Sequence, residues 1–395
     1  MSRESGAGLP APSAAAADHS ARLVEHIRRR LEAAGGRLPF ADYMQEALYA
    51  PGLGYYSAGS RKLGPAGDFT TAPELSPLFG RCLARQCADV LAELGGGDIL
   101  EFGAGSGRLA ADLLAELERL GRPPARYLIL EVSADLRERQ RETLARLAPG
   151  LAARVAWVET PPAGLRGVIL ANEVLDALPV HRFRLGPAGV EEGCVAWSGT
   201  GFAWEWTAPR TPGLAERAAA VLAGAGGGQA PGYASELGLA AGPWIAALGG
   251  SLAAGLALLV DYGFPRREFY HPERAGGTLM CHYRHRAHDD PFFLPGLQDI
   301  TAHVDFTAVA EAADAAGLRV AGYTSQAAFL LATGITELAA GAEVAGDAAL
   351  AAAGHALNRL LSPAEMGELF KVIALTRGLD APLRGFALQD RRGRL

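Results

Sequence analysis

The sequence predicts an α/β protein with a parallel, doubly wound sheet at its centre. Two observations carry this expectation. The first is residues 98–117, DILEFGAGSGRLAADLLAEL. A short apolar run (Ile99, Leu100, Phe102) is followed by glycines at alternate positions. Leu109, Leu113, Leu114 and Leu117 then recur at helical spacing. Strand, glycine turn and helix follow each other without a break. The second observation is the rhythm that continues from there. RYLILEVS (126–133) reads as a strand, 134–147 as a helix and RVAWVE (154–159) as a strand. GVILANEVLDALPVHRFRL (167–185) reads as a fourth strand running into a loop. Strands alternating with helices argue for a parallel sheet.

The remaining elements follow in chain order. Residues 1–20 read as a disordered tail. They lack the charged-then-apolar form of a secretory signal, and one arginine before Arg22 makes a poor transit peptide. The apparent lack of a transit peptide suggests a free-standing protein. Residues 21–95 form an N-terminal helical segment. Leu23, Ile27, Leu31, Phe40, Tyr43, Met44 and Leu48 mark its apolar face, and a helix is expected over 78–94. The segment 49–59 is an aromatic turn, and 61–80 is a polar loop with Gly and Pro. The first part of the core spans 96–207, with helices over 108–120 and 134–147. Leu136, Leu144 and Leu147 are the expected inner face of the second. Alternation around a glycine turn makes 189–206 antiparallel. Residues 208–250, rich in Ala, Gly and Pro, read as a helical insertion. Residues 251–395 complete the core. They hold a buried strand at 256–264, a long polar loop at 265–306, late strands at 317–325 and 370–378, and C-terminal helices.

Bulk composition excludes several classes. The 395 residues carry a net charge of −6, without the basic footprint of a nucleic-acid binder. Cys82, Cys87, Cys194 and Cys281 are scattered, which fits reduced thiols in a cytoplasmic setting rather than a zinc site or a disulfide framework. No apolar run is long enough to span a membrane.

The chemistry concentrates at a few positions. The turn reads E-F-G-A-G-S-G, tighter than the G-x-G-x-x-G of dinucleotide sites. Glycine permits φ > 0 and close approach of a ligand, and the following helix start presents N–H groups. The spacing of Gly103, Gly105 and Gly107 behind the acid Glu101 suits S-adenosylmethionine. That cofactor has an amino-acid end and no pyrophosphate, and Glu101 can hold its ammonium. Glu131 ends the second strand, where an acid accepts hydrogen bonds from ribose hydroxyls. Asn172, Glu173 and Asp176 follow the apolar run VILA at a strand's C-terminal edge, where open parallel sheets bind ligands. A simple helix cap is the competing reading. Asp68, in GPAGDFTTAPELS, is either an Asx turn or part of a lid over a cofactor. His282, His285 and His288 are three apart with arginines between, which is not the i, i+4 pattern of a helical zinc pair. No metal is expected.

Taken together these segments resemble the MidA-like S-adenosylmethionine-dependent methyltransferases. The resembling blocks are GYYSAGSRKLGPAGDFTTAPELSPLFG, ILEFGAGSGRLAADLL, LILEVSADLRERQ, LANEVLDALPVHRF, LLVDYGF and GTLMCHYRHRAHDDPFFLPGLQDITAHVDF. They run in order over about residues 40 to 310, and FLLATGI and MGELFKVIAL extend the match. The mitochondrial members are protein arginine methyltransferases needed for assembly of respiratory NADH dehydrogenase. The resemblance implies a Rossmann-like core with added helices, S-adenosylmethionine as methyl donor, S-adenosylhomocysteine as product, and a protein substrate such as a respiratory-complex subunit. By motif, Glu101, Gly103, Gly105 and Gly107 would line the methionine and sugar part, and Glu131 would bind the ribose. Asn172 and Glu173 would stand beside the reacting centre. Asp68 and Phe69 would close over the cofactor. The mitochondrial pattern H-E-F-F-D-V-L-P-V-H reads Asn172-Glu173-Val174-Leu175-Asp176-Ala177-Leu178-Pro179-Val180-His181 here, so the mitochondrial substrate does not carry over.

Methyl transfer is an in-line attack that needs the nucleophile ~3–3.5 Å from the methyl group. A guanidinium is a poor nucleophile, and a carboxylate can orient it bidentately. Glu173 is the first candidate for that role, Asp176 the second, and His181 a candidate for proton removal. Three other readings stand beside this one: a cofactor-binding assembly factor, a small-molecule methyltransferase and a nicotinamide-dependent oxidoreductase. The glycine spacing argues against the last. The apolar 208–250 stretch leaves a homodimer or another partner open.

Overall fold

A computed structural model describes residues 9–58, 71–340 and 347–395. The chain divides into two compact units. One comprises Thr70–Val174, Gly242–Gly263 and Phe306–Leu395, the other Met1–Phe69, Leu175–Ala241 and Phe264–Asp305.

The first unit holds the sheet. Its strands are β1 (Asp98–Phe102), β2 (Tyr127–Leu130), β3 (Val155–Val158), β4 (Leu165–Asn172), β5 (Leu252–Phe264), β6 (Arg319–Ser325) and β7 (Phe370–Arg377). Their order is β3-β2-β1-β4-β5-β7-β6. β1 to β5 are parallel, and β7 runs antiparallel to both β5 and β6. The chain starts at β1 in the middle of the sheet and winds outward in two directions. The point of reversal is where such sheets bind ligands. Helices α1 (Pro77–Glu93), α2 (Arg108–Arg119) and α3 (Ala134–Leu147) belong to this half. Leu109, Leu113, Leu114 and Leu117 are all buried, as their spacing predicts, in one core with Ile99, Tyr127, Val168 and Leu258. Leu136 and Leu144 are buried too, but Leu147 ends α3 exposed.

The second unit is built on an antiparallel sheet. Its strands Arg37–Pro39, Gly189–Trp197, His181–Gly186 and Ala234–Leu237 lie in that order, and Phe202–Thr207 pairs with Gly189–Trp197. The expected antiparallel ribbon at 189–206 is therefore present. A three-stranded sheet of Arg286–His288, Met280–Tyr283 and Asp299–Thr301 stands in the segment expected to be a long loop. Its alternation is masked, because His282 sits between the buried Cys281 and Tyr283.

Two other expectations need correction. Helix Ala14–Ala33 begins inside the expected tail, with Ser13 accepting from Ala16 N at 3.3 Å. The alanine run is strongly helix-forming, and Leu23, Ile27 and Leu31 bury its far end. The 208–250 stretch has helices at Leu214–Gly224 and Ala241–Ser251, but also the buried strand Ala234–Leu237. Among the described residues, no helix is long and apolar enough to cross a membrane. The four cysteines are buried and unbridged.

Candidate functional site

The turn after β1 is the centre of the site. Gly103, Gly105 and Gly107 have φ of 61°, 55° and 82°. Gly107 is the left-handed N-cap of α2, and a Cβ there would meet Gln140 Cα at 3.0 Å. A side chain at this position would face both backbone strain and a backbone contact. Gly103 N donates to Leu130 O at 3.1 Å, which extends the β1–β2 ladder into the turn. Ser106 Oγ donates to the Glu74 carboxylate and accepts from Arg108 N at 3.3 Å.

Two acids flank this turn. Glu101 is 2 % exposed and accepts from the Tyr127 hydroxyl at 2.7 Å. Burial pushes its carboxyl up to about 7, Tyr127 donation lowers it, and the Glu131 charge raises it. Glu131 lies just past β2 and is also buried. Its Oε1 accepts from Ser133 N at 3.0 Å and its Oε2 from Gln140 Nε2 at 3.2 Å. Ser133 caps α3, so the acid and the helix start are set together.

The end of β4 lies against the same turn. Val174 Cγ2 would stand 3.5 Å from a Cβ at Gly103. Asn172 ends β4, with its Nδ2 donating to Glu173 Oε1 at 3.1 Å. The Asn172 Oδ1 is buried and has no hydrogen-bond partner. Such an atom is costly unless a ligand donates to it. Glu173 has φ of 53° and donates its N–H to Val260 O at 2.9 Å. A left-handed non-glycine residue at a strand terminus is a strained position of the kind found at functional sites. The helix-cap reading is not what forms here, because no helix begins at 173.

Four residues that sequence reasoning did not place in the site join it. Gln140 bridges the turn and Glu131. Trp244 packs edge-on against Phe102 at 5.1 Å. Val132, directly after Glu131, is 70 % exposed, which is unusual for a large apolar side chain. Asp261 on β5 is buried opposite the buried Lys371 of β7. An acid ending the strand 256–264 is visible in the sequence. Its lysine partner is not, since it lies on another strand.

Two expected site residues fall in the second unit. Asp176 is buried, and its carbonyl accepts from Ala302 N at 3.0 Å. His181 Nδ1 lies 3.2 Å from Glu192 Oε1, and Thr211 Oγ1 donates to that same oxygen at 2.6 Å. Asp68 and Phe69 lie outside the described residues. The three loop histidines are divided between two strands and a turn. His282 stands on Met280–Tyr283, His285 in the turn with φ of 61°, and His288 fully buried on Arg286–His288. Among the described residues, no three His, Cys, Asp or Glu side chains are grouped to hold a metal ion.

Comparison with known proteins bears on this geometry. A family model of S-adenosyl-L-methionine-dependent methyltransferases matches residues 82–324. The mitochondrial protein arginine methyltransferase NDUFAF7 of Rattus norvegicus is 30 % identical over 403 residues, covering 91 % of this chain and 86 % of its own. The same protein of Danio rerio is 28 % identical, covering 89 % and 86 %. A Burkholderia thailandensis protein crystallised with S-adenosyl-homocysteine superposes with a TM-score of 0.94 at 47 % identity. That match covers 98 % of this chain and 100 % of the other.

Proposed function

Since the chain belongs to this family of S-adenosyl-L-methionine-dependent methyltransferases, we propose that it methylates an arginine side chain of a protein. S-adenosylmethionine is the cofactor, and the residues present fit it. A glycine turn leaves room for close approach, the buried Glu101 carboxylate can take a cationic partner, and the orphaned Asn172 Oδ1 calls for a donor.

When bound, the cofactor supplies an electrophilic methyl group on a sulfonium centre. Everything else falls to the chain. Glu101 holds the ammonium of the amino-acid end, and ionises as it does so. Glu131, its carboxylate held by Ser133 N and Gln140 Nε2, accepts from the ribose hydroxyls. Val132 offers an apolar face to the adenine. The glycines keep side chains out of the approach path.

The arginine acceptor is supported by the names of the curated relatives and by one local observation. That observation is Glu173, a carboxylate fixed by its neighbour's amide on a strained backbone at the end of β4. A guanidinium stays charged in water, and its lone pairs are delocalised. Bidentate pairing with Glu173 would orient it and concentrate density on the attacking nitrogen. Asp176 is the second candidate for that pairing. His181, held through Nδ1 by Glu192, is the candidate for taking the proton.

The test is methyl transfer from labelled S-adenosylmethionine into arginine-containing peptides by wild type and Glu173→Gln. The expected result is a sharp fall in turnover with S-adenosylhomocysteine affinity nearly unchanged. Equal loss of cofactor affinity would move Glu173 to the cofactor side and remove the acceptor role. Label recovered on a residue other than arginine would refute the acceptor class.

A further inference from the structure

Gln140 is fully buried on a helix whose other polar residues are mostly charged. Its Nε2 donates to Gly105 O at 3.0 Å and to Glu131 Oε2 at 3.2 Å. Its Oε1 accepts from Trp157 Nε1 at 2.7 Å. An indole N–H can only donate. The amide oxygen must therefore face Trp157, and both amide hydrogens are committed to the glycine turn and the acid. Trp157 is itself held under the Arg141 guanidinium, 4.7 Å from the ring centroid. The backbone of the turn packs on the same position, since a Cβ at Gly107 would stand 3.0 Å from Gln140 Cα.

We propose that Gln140 is the positioning residue for ribose recognition. It sets the Glu131 carboxylate and the Gly105 peptide in one fixed relation, so that the ribose hydroxyls meet an acceptor already in place. The inference rests on Glu131 as the ribose ligand, and it is independent of the methyl acceptor. Without the amide, Glu131 regains rotamer freedom that binding must then remove. The Gly105 carbonyl also loses its donor.

Calorimetry with S-adenosylhomocysteine and its 2′-deoxyribose analogue tests this on wild type, Gln140→Met and Trp157→Phe. Methionine keeps the length and apolar bulk of the side chain but cannot donate. Phenylalanine leaves Gln140 in place and frees its orientation. Wild type is expected to prefer the hydroxylated ligand by about tenfold or more, as for a hydrogen bond to a charged group. In Gln140→Met that preference shrinks towards unity, and Trp157→Phe falls between the two. A purely structural glutamine would weaken both ligands alike and leave the preference intact, which would overturn the proposal. A wild type indifferent to the hydroxyl would overturn it as well, by removing the ribose role of Glu131. Neither result touches the arginine acceptor, since no acceptor is present.

Discussion

Tyr127 and Glu101 sit diagonally across β1 and β2, joined by a 2.7 Å hydrogen bond from the phenol to the carboxylate. Both are buried, and burial raises both groups. Burial lifts the Glu101 carboxyl from its ordinary 4.5 to about 7. The sign for stability follows. Between these two values the folded protein holds a proton that the unfolded chain has lost. This contribution is fully present below pH 4.5 and disappears as pH rises through about 7. A bound ammonium favours the ionised form, so binding near neutrality releases the proton. Titration of S-adenosylhomocysteine at pH 6.5 in two buffers of different ionisation heat is expected to show this release. Glu101→Gln should abolish it. Equal apparent enthalpies in the two buffers for wild type would contradict the assignment of Glu101 to the ammonium.

Glu173 carries a second measurable cost. Its left-handed backbone (φ 53°) costs a non-glycine residue about 1–2 kcal/mol. Glycine removes the strain but gives back about 0.5–1 kcal/mol in unfolded-chain entropy. Glu173→Gly is therefore expected to gain up to about 1 kcal/mol in urea unfolding while losing methyl transfer. A destabilised variant would mean that the carboxylate holds the fold together more than it serves chemistry.

The second unit has its own titrating element. Glu192 accepts from His181, Thr211 and the backbone of Arg210 and Thr211. Burial alone would raise its carboxyl, but these donors hold it at about 2. Its contribution is present above the unfolded value near 4.5 and is lost as pH falls through about 2. Glu192→Ala leaves several buried donors unmatched and should cost about 3 kcal/mol at neutral pH. Acid titration followed by circular dichroism should then show a weaker pH dependence below 4.5 in the variant than in wild type. An unchanged acid profile would remove Glu192 as its source.

What could be read in advance depended on how local each cause is. β1 and its turn were legible because an apolar run, three glycines and a leucine stripe lie within twenty residues, and positive φ demands glycine there. Asn172 and Glu173 were legible because polar groups directly after VILA are conspicuous. Gln140 was not. A glutamine on a charged helix reads as solvated, and its partners are Gly105 and Trp157, set by tertiary structure alone. The strand Ala234–Leu237 was hidden for a similar reason. Glu236 looks exposed in sequence but is buried against Thr278 and Arg182. β7 was visible as a strand, while its antiparallel direction follows from a path that no local pattern encodes.

β7 also fixes a timetable. It pairs with residues 255–262 of β5, an almost wholly apolar stretch, and it is itself residues 370–377. During synthesis the ribosome delivers β5 long before its neighbour exists. Throughout translation of the intervening hundred or so residues, that flank is a naked, hydrophobic template for a strand from another nascent chain. Shielding this edge until β7 arrives is therefore a demand that the order of the chain, rather than the finished sheet, places on folding.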